Sequence, residues 1–262
     1  MSEQGDMMTF GGHLGVLRRM LFRVIGVTAV LGVVIFCFKD TAFRLLLAPA
    51  DSDFVTWRFL ERAGRVLGMD FGLAPFKVQL ISTELSSQFM THVSVSVWLS
   101  LLFASPYVLF EVFRFVAPAL YERERRRSVR FVVAGYVLFL AGVVMGYFVV
   151  FPVSFRFLGT YQVAPGVVNQ INISSYVSSF LRLTLAMGLA FLLPLAAVFL
   201  ARAGLLSAAF LRRYRRHAVL LICIVAAVVT PPDALSLVLV AVPLCLLYEA
   251  GIFMASWAER RG

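Results

Sequence analysis

The feature that most limits what this chain can become is a series of long apolar stretches, each nearly free of charge: Met20–Phe38, Phe89–Phe113, Val129–Phe151, Tyr176–Ala201, Ala218–Val229 and Leu235–Met254. A bilayer core is crossed by about 20 apolar residues in helical form. A water-soluble domain carries charge at about a quarter of its positions. Here only 15% of residues are charged and 61% are hydrophobic, too little polar surface for a chain of 262 residues to stay in water. The stretches are continuous rather than alternating, so they predict helices and not barrel strands. Helices also satisfy their own backbone polar groups within the segment, as lipid requires. The expected fold is an all-α membrane protein, with one transmembrane domain over residues 20–258 between a segment 1–19 and a short tail 259–262.

The last two stretches are short. Ala218–Val229 would reach only about 18 Å as a helix, against a hydrocarbon core of about 30 Å. Its neighbour carries Pro243 in the middle and Glu249 near the end. Two short spanning helices and a buried or re-entrant hairpin both fit. The turn Thr230-Pro231-Pro232-Asp233 between them can only reverse the chain.

Charge predicts orientation. Arginines cluster at 18–23, 114–130, 202–216 and 260–261, whereas the loop 39–88 balances its cations against Asp40, Asp51, Asp53, Glu61, Asp70 and Glu84. By the positive-inside rule, both termini and the loop 114–128 are expected in the cytoplasm and the loop 39–88 outside. The net charge of +10 then reflects topology and contact with anionic lipid rather than nucleic-acid binding. The first stretch reads as an uncleaved signal anchor. Ala48-Pro49-Ala50 lies too far downstream for a leader cleavage site, which leaves Pro49 as a feature of the outer loop. Aromatic residues between Ala50 and Ser82 suggest a short amphipathic helix at the outer interface.

Catalytic patterns are lacking. Cys37, Cys223 and Cys245 each stand alone in apolar sequence and read as small buried hydrophobes. His13, His92 and His217 fall at different levels, so neither metal nor other cofactor is expected, nor an enzyme. Polar residues in or beside the membrane remain, and such residues carry function by default. Glu111 can pair with Arg114 at i, i+3. Arg182 can snorkel along its stem. Pro194 is expected to kink the fourth stretch. Glu249 is expected at the headgroup level, and Asp233 can cap the final helix. A small-solute or ion transporter using Glu111, Arg182 and Glu249 is the alternative these residues leave open, and it requires them to converge on one aqueous path.

Five motifs in register carry a resemblance. His13-Leu14-x-x-Leu17-Arg18 precedes the first stretch, and Phe115-x-Ala117-Pro118-Ala119-Leu120-Tyr121-x-x-Glu124-Arg125-Arg126 fills the loop after the second. Ser175-Tyr176 opens the fourth, Thr230-Pro231-Pro232-Asp233-x-x-Ser236 leads into the last, and Tyr248-Glu249 comes near its end. Together they resemble the TatC family, the multispanning receptor subunit of the twin-arginine protein translocase. The resemblance implies six transmembrane helices in a concave, glove-like bundle in the bacterial cytoplasmic (inner) membrane. It implies recognition of signal peptides with paired arginines, and export of folded proteins with TatA- and TatB-like single-span partners in a larger oligomer, driven by the proton gradient. It assigns signal binding to Glu124 with its neighbours Phe115, Pro118, Leu120, Tyr121 and Arg125, and to His13, Leu14, Leu17 and Arg18. Partner docking falls by the same likeness to Thr230, Pro231, Pro232, Asp233 and Ser236.

The chemistry suits such a role. A guanidinium pairs with a carboxylate through two parallel hydrogen bonds that a lysine cannot reproduce. At a wet interface each pair contributes only about 0–1 kcal/mol. Burial of an apolar segment, at about 25 cal/mol per Å², supplies the affinity, and the carboxylates supply the discrimination. This chain departs from the family pattern at three positions: Val16 stands where the N-terminal motif has glutamate, Leu192 where the fourth helix has glutamate, and Leu237 where glutamine follows Ser236. Glu3, Asp6 and Glu122 are the other carboxylates near the implied surface.

Overall fold

The structure is a computed structural model, and it describes residues 10–68, 76, 78–116, 128–164, 169–202, 204 and 206–259. Helix α1 spans Phe10–Cys37, and after a brief break α2 spans Lys39–Leu47. A single turn Ala48–Ala50 follows, then α3 over Val55–Leu67 and a short strand β1 at Gln79–Ile81. The long helix α4 runs from Ser87 to Val116. Beyond it, α5 covers Ser128–Met145, a wider π-type turn covers Gly146–Val150 and α6 covers Phe151–Thr160. Strand β2 at Gln170–Asn172 pairs in parallel with β1, Leu80 opposite Ile171. The chain then forms α7 (Ile173–Ala190), α8 (Leu193–Arg202), α9 (Ala208–Arg213), α10 (Arg215–Val229) and α11 (Ala234–Glu259).

Among the described residues, five segments are long and apolar enough to cross a membrane: Leu14–Cys37, Ser87–Phe115, Phe131–Thr160, Ile173–Ala201 and Ala234–Trp257. Helix α10 falls short of that, with 15 residues or about 22 Å of length. Of the two closing helices expected to be short, only the first is. Helix α11 has 26 residues, about 39 Å, and continues through Pro243. The proline removes one backbone donor, but the run on either side is apolar enough to keep the helix going past Met254 to Glu259. Helix α11 is therefore long and apolar enough to cross a membrane, whereas α10 is not.

Pro194 interrupts its segment as expected. Helix α7 ends at Ala190 and α8 resumes at Leu193, so the proline sits in the first turn of a new helix, where its missing N–H costs nothing. Two other prolines expose carbonyls that tertiary contacts then take. Pro152 cannot donate to the Phe148 carbonyl, which instead accepts from the Thr56 hydroxyl of α3. Pro49 likewise cannot donate to the Leu45 carbonyl, which accepts from the Tyr147 hydroxyl at 2.8 Å. One residue on, the Leu46 carbonyl accepts from the buried Tyr176 hydroxyl, also at 2.8 Å. The segment α2–α3 is thus fastened to α5–α7 at the points where proline breaks the backbone ladder, and Pro49 itself is fully buried there.

Helices α5 and α7 approach most closely through small residues. A Cβ on Gly142 would meet the Met187 carbonyl, and one on Gly146 would meet Thr184 Cα. In lipid, where no hydrophobic force drives helices together, such small residues permit the close backbone packing that does. Around this seam Phe151, Phe155, Tyr176 and Phe180 meet edge to face or stacked, with centroids 4.9–5.9 Å apart. By contrast α1 touches the bundle mainly along α4, antiparallel to it, with Gly32 beside Ser100 and Phe36 stacked on His92 at 4.0 Å. Its remaining apolar side chains, such as Phe22, Ile25 and Val33, are exposed and suited to lipid. The expected amphipathic helix is α3, with Trp57 buried and Phe59 and Val66 exposed.

Candidate functional site

The candidate surface is built from the start of α1 and the end of α4, which the antiparallel seam brings to one end of the bundle. On α1, Leu14 is exposed, Leu17 is half-buried, and the Arg18 guanidinium lies 5.6 Å from the Phe22 ring centroid. His13 lies in the same helix. On α4, Phe115 is half-buried near the helix end, and Phe113 stacks on Phe131 with centroids 5.8 Å apart. The loop that joins this end to α5, with Pro118, Leu120, Tyr121, Glu122, Glu124 and Arg125, lies outside the described residues, as do Glu3 and Asp6.

Within α1 and α4, the acidic group of this end is Glu111. It is buried, at 5% relative exposure, and it accepts a hydrogen bond from Tyr107 Oη at 3.0 Å, one turn earlier on α4. Its ionic partner is Arg23 of α1, with Nη1 3.5 Å from Oε1. The i, i+3 pair with Arg114 does not form. Arg114 is exposed, while the packing of α1 on α4 presents Arg23 to the carboxylate instead. Sequence spacing could have found Tyr107, four residues before Glu111. Nothing local points to Arg23, because the contact joins two helices.

At the opposite end the turn into α11 is closed on itself. The Ser236 N–H donates to Asp233 Oδ1 at 2.7 Å, so Asp233 caps the helix as expected, and the Thr230 hydroxyl donates back to the Ala226 carbonyl at 2.9 Å. Asp233 Oδ2 and Ser236 Oγ are buried without a hydrogen-bond partner among the described residues. Pro231 is half-buried and Pro232 exposed beside them. An orphaned pair of polar atoms next to an undersized helix is an uncommon arrangement, since buried polar groups are nearly always paired.

The other intramembrane charges are held separately. Arg182 donates only to its own turn, Nε to the Ser178 carbonyl at 3.3 Å and Nη2 to Ser178 Oγ at 3.4 Å, and it is exposed. Glu249 pairs with Arg215 of α10 at 2.7 Å, and the Tyr248 hydroxyl donates to the Leu211 carbonyl at 2.9 Å. Glu111, Arg182 and Glu249 therefore do not converge, which removes the basis for the transporter alternative. Cys37 is exposed and Cys223 and Cys245 are half-buried, so none is the fully buried hydrophobe expected. Cys223 and Cys245 fit lipid-facing positions instead, and Cys37 stands at the end of the first helix. No cluster of three metal-ligating side chains occurs among the described residues. A small open pocket lies among α2, α4, α5 and α7, lined by Leu46, Trp98, Leu102, Tyr147, Phe180 and Thr184. It is almost wholly apolar, fit for hydrocarbon and not for a polar substrate.

The family model described as Sec-independent protein translocase protein (TatC) matches residues 12–243. Among relatives carrying that name, one from Desulforapulum autotrophicum is 34% identical over 97% of this chain and 87% of its own. Another, from Blattabacterium, is 28% identical and both chains are covered completely. One from Escherichia coli K12 is 37% identical over 70% of each chain. A solved structure described as the crystal structure of the twin arginine translocase receptor TatC superposes with a TM-score of 0.75 at 27% identity, covering 94% of this chain and 99% of that one. With the fold, the motif positions and these likenesses extending over nearly its whole length, the chain belongs to the TatC family of Sec-independent protein translocase proteins.

Proposed function

We propose that this protein is the receptor subunit of a twin-arginine translocase, binding signal peptides with paired arginines and taking part in the export of folded proteins. The observation that carries this reading is the match of 94% of the chain to 99% of a twin arginine translocase receptor. In this reading the arginines of a signal meet Glu124 in the loop after α4, and its apolar stretch lies against the exposed side chains of α1. Partner helices of TatA- and TatB-like proteins dock at Thr230–Ser236, where Asp233 Oδ2 and Ser236 Oγ lack partners among the described residues and the 15-residue α10 favours a thinned bilayer. The protein resides in the bacterial cytoplasmic membrane with both termini in the cytoplasm, a reading supported by the arginine clusters. Several copies assemble in a larger complex, and the proton gradient drives transport.

The deciding experiment is export of a folded reporter in cells with and without this protein. Export with an Arg-Arg signal and its loss with a Lys-Lys signal, both dependent on the protein, are expected. Export indifferent to either change would sink the reading. Crosslinking of the signal to Glu124→Gln is expected to fall, and unchanged crosslinking would remove Glu124 from the site. Labelling of Cys37, exposed near the end of α1 away from the N-terminus, checks the orientation. An impermeant maleimide should reach it from outside the cell, and labelling only after lysis would reverse the topology.

A further inference from the structure

Glu111 is placed and partnered in a way that a structural ion pair does not require. Its side chain is 6% exposed whereas that of Arg23 is 52% exposed, so the anion is fixed in the bundle while the cation lies over it at the surface. A charged N–H···O contact is about 2.7–2.9 Å long when well made, and guanidinium and carboxylate can form two of them side by side. The Arg23 contact is single and 3.5 Å long. Both Arg23 and Tyr107 address Oε1, and Oε2 has no hydrogen-bond partner among the described residues. Glu111 is also the sole carboxylate on either α1 or α4, facing a helix that carries Arg18, Arg19 and Arg23. A loosely covered carboxylate with one free oxygen is a vacant half of a two-pronged guanidinium site.

We propose that Glu111 is a second guanidinium-binding carboxylate of the signal site, and that Arg23 is an internal stand-in which an incoming arginine side chain displaces. Tyr107 holds the carboxylate in place through the exchange. The exchange suits a receptor that must stay closed without cargo, because an unpaired charge buried in the membrane is never exposed to lipid. Val16 and Arg23, seven residues apart, share one face of α1, a helix that carries no carboxylate. This inference deepens the receptor reading and rests on it.

The test uses the full chain in lipid nanodiscs with four synthetic signal peptides, bearing Arg-Arg, Arg-Lys, Lys-Arg and Lys-Lys at the paired positions. Arg23→Gln is expected to tighten binding of the Arg-Arg peptide about threefold or more, since removal of a competing surface partner returns a contact of that size. Glu111→Gln is expected to weaken it about tenfold and to abolish discrimination between arginine and lysine at one of the two positions. The double variant should behave like Glu111→Gln alone. Thermal midpoints are recorded for each variant, and if Glu111→Gln does not fold, Arg23→Gln carries the test, its exposed side chain being removable without opening the core. Weaker or unchanged binding by Arg23→Gln overturns the proposal, as does an intact four-peptide ranking in Glu111→Gln. Should the unaltered protein bind the Arg-Arg and Lys-Lys peptides alike, the receptor reading itself fails. If it discriminates and Arg23→Gln does not tighten binding, this inference alone fails.

Discussion

A single methyl group at Gly142 tests whether the α5–α7 seam holds this bundle together. Its Cβ would lie 2.3 Å from the Met187 carbonyl oxygen and 2.8 Å from Gly188 Cα. Both obstacles are backbone, so no side chain can rotate away. Ordinary contact needs about 3.5 Å, and restoring it requires the helices to part by about 1 Å. A gap of that size forfeits about a quarter to a half of the dispersion energy of the atoms lining it. Overpacking of this kind costs about 1–3 kcal/mol, and the rigidity of the obstacle puts Gly142→Ala at the upper end. For a chain of this size about 1 kcal/mol moves the melting midpoint by about 2–4 °C, so a fall of about 5–10 °C is expected. A methyl group on Gly26 would meet nothing within 4 Å, and Gly26→Ala should instead hold or raise the midpoint through helix propensity. The assay is thermal unfolding in one detergent at a fixed scan rate, because membrane-protein melting is commonly irreversible and rate-dependent. A Gly142→Ala midpoint within about 1 °C of the unaltered protein would refute the close-packing argument, as would an equal fall in Gly26→Ala.

Three further outcomes follow from the same contacts. Tyr176→Phe removes the buried donor to the Leu46 carbonyl and should cost about 1–3 kcal/mol, read by denaturant or thermal unfolding. Asn172 accepts the Ser174 N–H at 2.9 Å at the start of α7 and donates to the Thr83 hydroxyl at 2.7 Å. Asn172→Ala should therefore destabilise by about 0.5–2 kcal/mol, with faster amide exchange confined to the first turn of α7 and the β1–β2 pair. The Arg215–Glu249 pair is half exposed on both sides, so a double-mutant cycle should return no more than about 1 kcal/mol despite its 2.7 Å length.

What the sequence decided by itself is the membrane class, the helical form and the positions of most helices, because long charge-free runs have no other stable solution in lipid. Motif order identified the family for the same reason: the residues flanking each span are fixed to a register that spacing alone records. Local signals also hold where the physics is local. Asp233 caps α11 three residues ahead, and Pro194 breaks the segment in which it sits. The length of α11 is not legible in this way, because polar residues mark an apparent end that the helix runs past to Glu259.

Only the tertiary structure decided the partners. Arg114 and Glu111 are neighbours in sequence, yet Glu111 bonds to Arg23 from 88 positions away, because burial turns the carboxylate toward α1 and leaves Arg114 facing outward. The carbonyls left open by Pro49 and Pro152 are legible as vacancies from sequence, but the tyrosine and threonine that fill them come from helices about 100 residues distant. Side-chain pairing across helices depends on which faces meet and how closely, and that depends on the glycines at 142, 146 and 188, whose role appears only once two backbones are set against each other. Hydropathy fixes which segments enter the membrane. Packing fixes which side chains meet there, and it is packing that puts a buried, loosely covered carboxylate at the end of α4.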